Sequence, residues 1–156
     1  MCLYHLAQIN IARMVAPLND PIMADFVAQL EAINAIADQS PGFVWRLQSD
    51  EGDATAINAF KDDRILVNMS VWQSVEALNQ YTYRSRHAGV FRSRKTWFLP
   101  LDRPHLALWW VPEGHIPTPE EGRDRLELLH LHGPAPEAFT FKHQFACPAG
   151  QFAAAK

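Results

Sequence analysis

From Tyr4 to Arg13 apolar and polar residues alternate, with Ala7, Ile9 and Ile11 on one side of the extended chain and Leu6, Gln8 and Asn10 on the other. A period of two predicts a strand. Asp20-Pro21 then offers a capping residue followed by proline at the first helical position, a favoured helix start. Met23, Phe26, Val27, Leu30, Ile33 and Ala37 recur at three- and four-residue spacings, which predicts a helix with one apolar stripe. Ser40-Pro41-Gly42 is its stop signal. A second strand is expected over Gly42 to Gln48, and the polar stretch Ser49 to Asp63 reads as a long connection. Arg64 to Trp72 alternates again, with Ile65, Val67, Met69 and Val71 on one face and Leu66, Asn68, Ser70 and Trp72 on the other.

A second helical region is expected from about Ser74 to Phe98, broken near Ser85, and a fourth strand from about Pro104 to Val111. The order β-α-β-β-α-β is the split pattern of a ferredoxin-like unit, so the expected class is α+β. Thr118-Pro119-Glu120-Glu121 is a capping box and Gly133-Pro134 a stop, which predicts an extra C-terminal helix between them. Phe139 to Phe145 is a candidate additional strand. One domain is expected over residues 3–146, with 147–156 as a flexible tail.

Two helices on one side of a four-stranded sheet leave the other side to be covered. The aliphatic side (Ala7, Ile9, Ile11, Ile65, Val67, Met69, Val71) suits packing under the helices. The mixed side, carrying Gln8, Asn10, Asn68, Ser70 and Trp72, is then expected to meet the sheet of a second copy. A homodimer enclosing a half-polar cavity follows.

The chain has 156 residues, 48% apolar and 20% charged, the profile of one soluble domain with its own core. A net charge of −3 provides no general attraction to nucleic acid or anionic membranes. It conceals a window from Arg84 to Lys95 that carries five cations and no acid. Such a run is most often a solvated face, and it lacks the exposed aromatics at stacking spacing that a nucleic-acid surface would add. Cys2 and Cys147 form no metal-type spacing, and two cysteines are too few for a disulfide framework, so a cytoplasmic, reducing setting is expected. No segment has the length of apolar sequence that a membrane span needs.

The run Ser70 to His87, SVWQSVEALNQYTYRSRH, resembles a segment of antibiotic-biosynthesis monooxygenase-like proteins, in which a strand ends in Trp and the next helix carries Ser-x-His. With LAQINIAR, SPGFVWRL, VNMSVW and WWVPEGHIPTPEEGRDRLELLHLHGP, the chain from about Leu3 to Phe141 is similar to an uncharacterised bacterial domain-of-unknown-function family, number 3291. The resemblance implies a dimeric α+β barrel but no settled reaction. The wider superfamily includes cofactor-free monooxygenases, haem-degrading enzymes, lactone isomerases and ligand-sensing regulators.

Within the expected cavity, His87 is the candidate acid or base, because imidazole titrates near neutral pH. Asn10 and Asn68 are candidates for holding an oxyanion. Gln8, Trp72, Tyr83, His105 and Trp109 are candidates for binding substrate, with Trp72 and Trp109 stacking on a planar ring. The plainer alternative is that the amides satisfy one another and the tryptophans fill core. Haem is the alternative cofactor to none: haem-degrading relatives carry an axial histidine on the equivalent helix, about one turn later than His87, and an Asn on the first strand, here Asn10. His130 and His132 lie about 200° apart on a helix and cannot chelate one ion together. No metal, phosphate-loop or dinucleotide motif is present. The expected function is a small-molecule enzyme similar to cofactor-independent monooxygenases, acting on a planar aromatic or enolisable substrate. A haem protein and a non-catalytic ligand-binding or assembly module are the alternatives.

Overall fold

The computed structural model describes residues 3–48, 59–87 and 94–148, without the side chains of residues 86, 87, 94 and 95. Strand β1 (Tyr4–Met14) is central. It pairs antiparallel with β3 (Ile65–Trp72) on one side, Leu6 opposite Trp72 and Asn10 opposite Asn68. On its other side it pairs with β5 (Leu106–Pro112), Leu6 opposite Trp110 and Asn10 opposite Leu106. The edge strand β2 (Phe43–Arg46) joins β3 through an irregular register, and the two-residue β4 (Phe98–Leu99) extends the far end of β1. This is the expected ferredoxin-like order with one short strand added.

The first and last helical segments begin and end where their capping chemistry lies. Asp20 Oδ1 accepts from Ile22 N at 3.0 Å, opening a 3-10 turn that leads into α1 (Ala24–Gln39). Ser40 caps its end, and Gly42 follows at φ 82°, a backbone region that penalises any Cβ. Helix α2 runs over Val75–His87, past the break expected near Ser85, and a single turn, α3, covers Arg94–Trp97. Helix α4 occupies Pro119–His132, between its predicted cap and stop, with Glu121 N donating to Thr118 Oγ1 at 3.2 Å. Of the expected tail strand, Phe139 alone pairs, exchanging two 2.8 Å backbone bonds with Leu108.

Which face of the sheet meets which helix is the reverse of the sequence expectation. The aliphatic side, with Ala7, Ile9, Met69, Val71, Ala107 and Trp109, packs against Leu126 and Leu129 of the chain's own α4. Gly122 makes this possible: a Cβ there would stand 2.5 Å from Ile9 Cδ1, so only glycine lets the helix come this close. The mixed side carries Leu6, Trp72 and Leu108, and these pack under Ala37 of α1 and Val75, Ala77 and Leu78 of α2, joined by Phe139. At the far end of the same side Met14, Met23, Phe26 and Trp97 form a separate cluster. The sheet face expected to meet a second copy is therefore the one under α1 and α2, and the face left over is already covered by α4.

Cys147 is disulfide-bonded, a departure from the thiol expected in a reducing setting. Cys2, like the terminal stretch 149–156, lies outside the described residues. No described helix is long and apolar enough to cross a membrane.

Candidate functional site

Between the two apolar clusters on the helix-covered side lies a polar strip formed by β1 and β3. Its anchor is Gln8, which is buried and donates from Nε2 to Asn68 Oδ1 at 2.7 Å and to Ser70 Oγ at 2.8 Å. Ser70 Oγ also accepts from Trp72 Nε1 at 2.8 Å. One unbroken path of hydrogen bonds thus links the Trp72 indole to the Asn68 amide. Trp72 is fully buried, stacked on Tyr81 at 4.9 Å and edge-on to Phe43 at 5.4 Å. Tyr81 is held above the usual phenol range, chiefly because burial disfavours its anion.

The strip ends at the surface. Asn10 lies on the central strand with pairing partners on both sides, yet its side chain is exposed, and it makes no side-chain hydrogen bond among the described residues. Asn68 beside it is half-buried. Its Oδ1 is taken by Gln8, and its Nδ2 donates to nothing among the described residues. Two amides with unused capacity stand side by side on a sheet that is closed by apolar packing to the left and right. Chemically, this is a small polar floor able to hold an oxygen.

The other candidate residues are placed differently. Trp109 faces the opposite side from Trp72, because it pairs with Ala7 whereas Trp110 and Trp72 both flank Leu6. The expected stacking of one ring between Trp72 and Trp109 is thereby corrected. Trp109 is fully buried, donates to Glu121 Oε2 at 2.9 Å and lies 5.8 Å beneath Arg125. Trp110, on the helix side, donates instead to the Phe145 carbonyl at 2.9 Å. His105 precedes β5 and is exposed, so strand alternation does not pair it with Trp109. Tyr83 is 62% exposed and lines a groove of about 610 Å³ with Asn79, Gln80, Thr82, Arg84 and Phe141, on a different surface from the Asn pair. His87 ends α2, and its side chain lies outside the described residues. Of the basic window, Arg84 reaches Ser40 Oγ at 3.2 Å.

Three participants escaped the sequence reading. Ser70 stood on the correct alternation side but carries no motif, and its value lies in accepting two bonds at once. Tyr81 reads as one of several helical aromatics. Glu121 reads as the closing member of a capping box, but its carboxylate turns to Trp109 and to His115 Nε2, 2.7 Å away. Elsewhere Asp38 and Asp62 are held below the usual carboxylate range, Asp38 mainly by its hydrogen bond from Arg46 and Asp62 mainly by the Arg64 backbone N–H. No group of three metal-binding side chains occurs among the described residues.

The model of a domain of unknown function, DUF3291, matches residues 5–155. The chain belongs to the DUF3291 family. No curated protein matches this DUF3291 chain. Among solved structures it is similar to SnoaB, a cofactor-independent oxygenase from Streptomyces nogalater, at 15% identity and TM-score 0.46, covering 73% of this chain and 98% of that one. It is also similar to a Chloroflexus aurantiacus J-10-fl protein described, provisionally, as an antibiotic biosynthesis monooxygenase, at 16% identity and TM-score 0.47, covering 72% and 97%. A Pseudomonas aeruginosa protein gives 12% identity and TM-score 0.48, covering 74% and 99%. The family name carries no reaction, so the function of this DUF3291 chain has to be sought in its own amide strip.

Proposed function

We propose that this chain is a small-molecule enzyme that binds a planar, enolisable or phenolic compound over Asn10 and Asn68. One observation carries the reading: an exposed amide without a partner among the described residues sits in the middle of the central strand, on the side where helices otherwise cover the sheet. A surface amide of no function belongs on an edge or a loop. In the middle of a sheet it takes the place of an apolar residue that would bury area and stabilise the fold.

In this proposal the N–H groups of Asn10 and Asn68 hold the oxygen on which charge develops when a C–H or O–H proton leaves. His87, at the end of α2, is the proposed proton acceptor. The enolate or phenolate so formed passes one electron to dioxygen. The carbon radical and superoxide combine into a hydroperoxide that takes up the proton, and loss of water leaves a new carbonyl at that carbon. Dioxygen is the only oxidant, and no cofactor is assigned. Trp72 supports the strip from below and does not meet the ligand. A homodimer remains the proposed assembly, formed through a surface other than the aliphatic sheet face that α4 occupies.

The test is oxygen uptake with a panel of hydroxynaphthalenes and enolisable polycyclic ketones. With a compound that turns over, Asn10→Ala and His87→Ala should each lower kcat by about 10²-fold, the scale of losing one oxyanion donor or one general base. Unchanged turnover in both variants would overturn the assignment.

A further inference from the structure

We infer that Gln8 is a positioning residue that fixes the polarity of the site, turning the Asn68 amide so that its N–H, and not its C=O, faces the ligand. The inference rests on the proposed site and deepens it by naming the ligand chemistry: an acceptor oxygen (carbonyl, enolate or phenolate) and not a donor such as an amine or an indole N–H.

An indole N–H only donates, so the 2.8 Å contact between Trp72 Nε1 and Ser70 Oγ uses one lone pair of that oxygen. Gln8 Nε2 donates into the same oxygen at 2.8 Å and spends its second hydrogen on Asn68 Oδ1 at 2.7 Å. A primary amide has two N–H hydrogens, so Gln8 has none left to give. Asn68 is thereby held by its oxygen, which leaves Nδ2 as the end of the amide without a partner among the described residues, on the residue paired with Asn10. A free asparagine can rotate to offer either end to a ligand. One held by a buried donor cannot do so without leaving Gln8 5% exposed and short of an acceptor. Asn10 has no such anchor and adapts to either ligand, so discrimination falls to Asn68.

Gln8→Glu reverses the chain. A carboxylate only accepts, so it would accept hydrogen bonds from the Ser70 hydroxyl and the Asn68 N–H, and the Asn68 carbonyl would turn outward. Two compounds of one size read the polarity: 1-indanone, which only accepts, and indole, whose N–H only donates. For the wild-type chain, nitrogen-15 NMR should show the Asn10 and Asn68 side-chain signals shifting with 1-indanone, which should bind about tenfold more tightly than indole, the scale of one hydrogen bond gained against one group left unpaired. Gln8→Glu should invert the preference. Gln8→Met, of similar volume and without a donor, should bring the two ligands within about twofold; it serves if the buried carboxylate prevents folding. In the unliganded wild type the Gln8 side-chain hydrogens should exchange slowly with solvent and those of Asn68 quickly. Equal binding of both compounds by the wild type, or protected Asn68 hydrogens, would overturn the polarity inference and leave the site standing. If neither compound shifts the Asn10 or Asn68 signals, the site reading itself is overturned.

Discussion

The two faces of one sheet have opposite fates in this molecule. Under α4, Ala7 and Ile9 of the central strand meet apolar neighbours, Gly122 brings the helix into contact, and the buried Trp109 N–H is taken by Glu121. Under α1 and α2 the coverage is divided: apolar clusters close the two ends, and between them Gln8, Ser70 and Asn68 bond to one another while Asn10 looks out. The first face is built for stability. On the second, stability has been given up over a few residues, and the proposed site rests on that concession.

Substitutions should separate the faces. The largest effect is expected from Trp109→Ala, which empties a fully buried ring position and takes one partner each from Glu121 and Arg125. A loss of about 3–5 kcal/mol in chemical unfolding is expected, and a loss below about 1 kcal/mol would mean that α4 does not dock as described. Gly122→Val comes next. Its side chain collides with Ile9, so about 1–3 kcal/mol should be lost through overpacking, with protection from hydrogen exchange reduced first in α4. The smallest change is expected from Asn10→Ala, within about 0.5 kcal/mol of the parent chain because the side chain is exposed. Should that variant unfold substantially earlier, Asn10 would be a structural residue and the contrast between the faces would vanish.

Much of this was legible in short stretches. The alternation in Tyr4 to Met14 and Ile65 to Trp72, the Asp20 and Thr118 caps and the Gly133 stop all act over a few residues, and each element lies within a few positions of its expectation. The proposed site was legible as a set of polar side chains on one side of two strands, since Gln8, Asn10, Asn68 and Ser70 share a parity. Trp109 was misplaced because its neighbour Trp110 differs from it by one position in a pairing register that local pattern does not reveal. Glu121 was hidden because a capping motif already explained it.

The sequence by itself determined the elements, their order and which residues share a face, because dihedral preference, capping and side-chain alternation are local. Only the tertiary structure decided which face the helices cover. Both sides of these strands are apolar enough to be buried, and the choice depended on the approach of α4 at Gly122, more than a hundred residues from Ile9 along the chain. That approach sealed the aliphatic side and left the amide strip beneath α1 and α2, where Gln8 meets a partner 60 residues away. Contacts at such separations are set by the packing of the whole domain, and no local pattern encodes them.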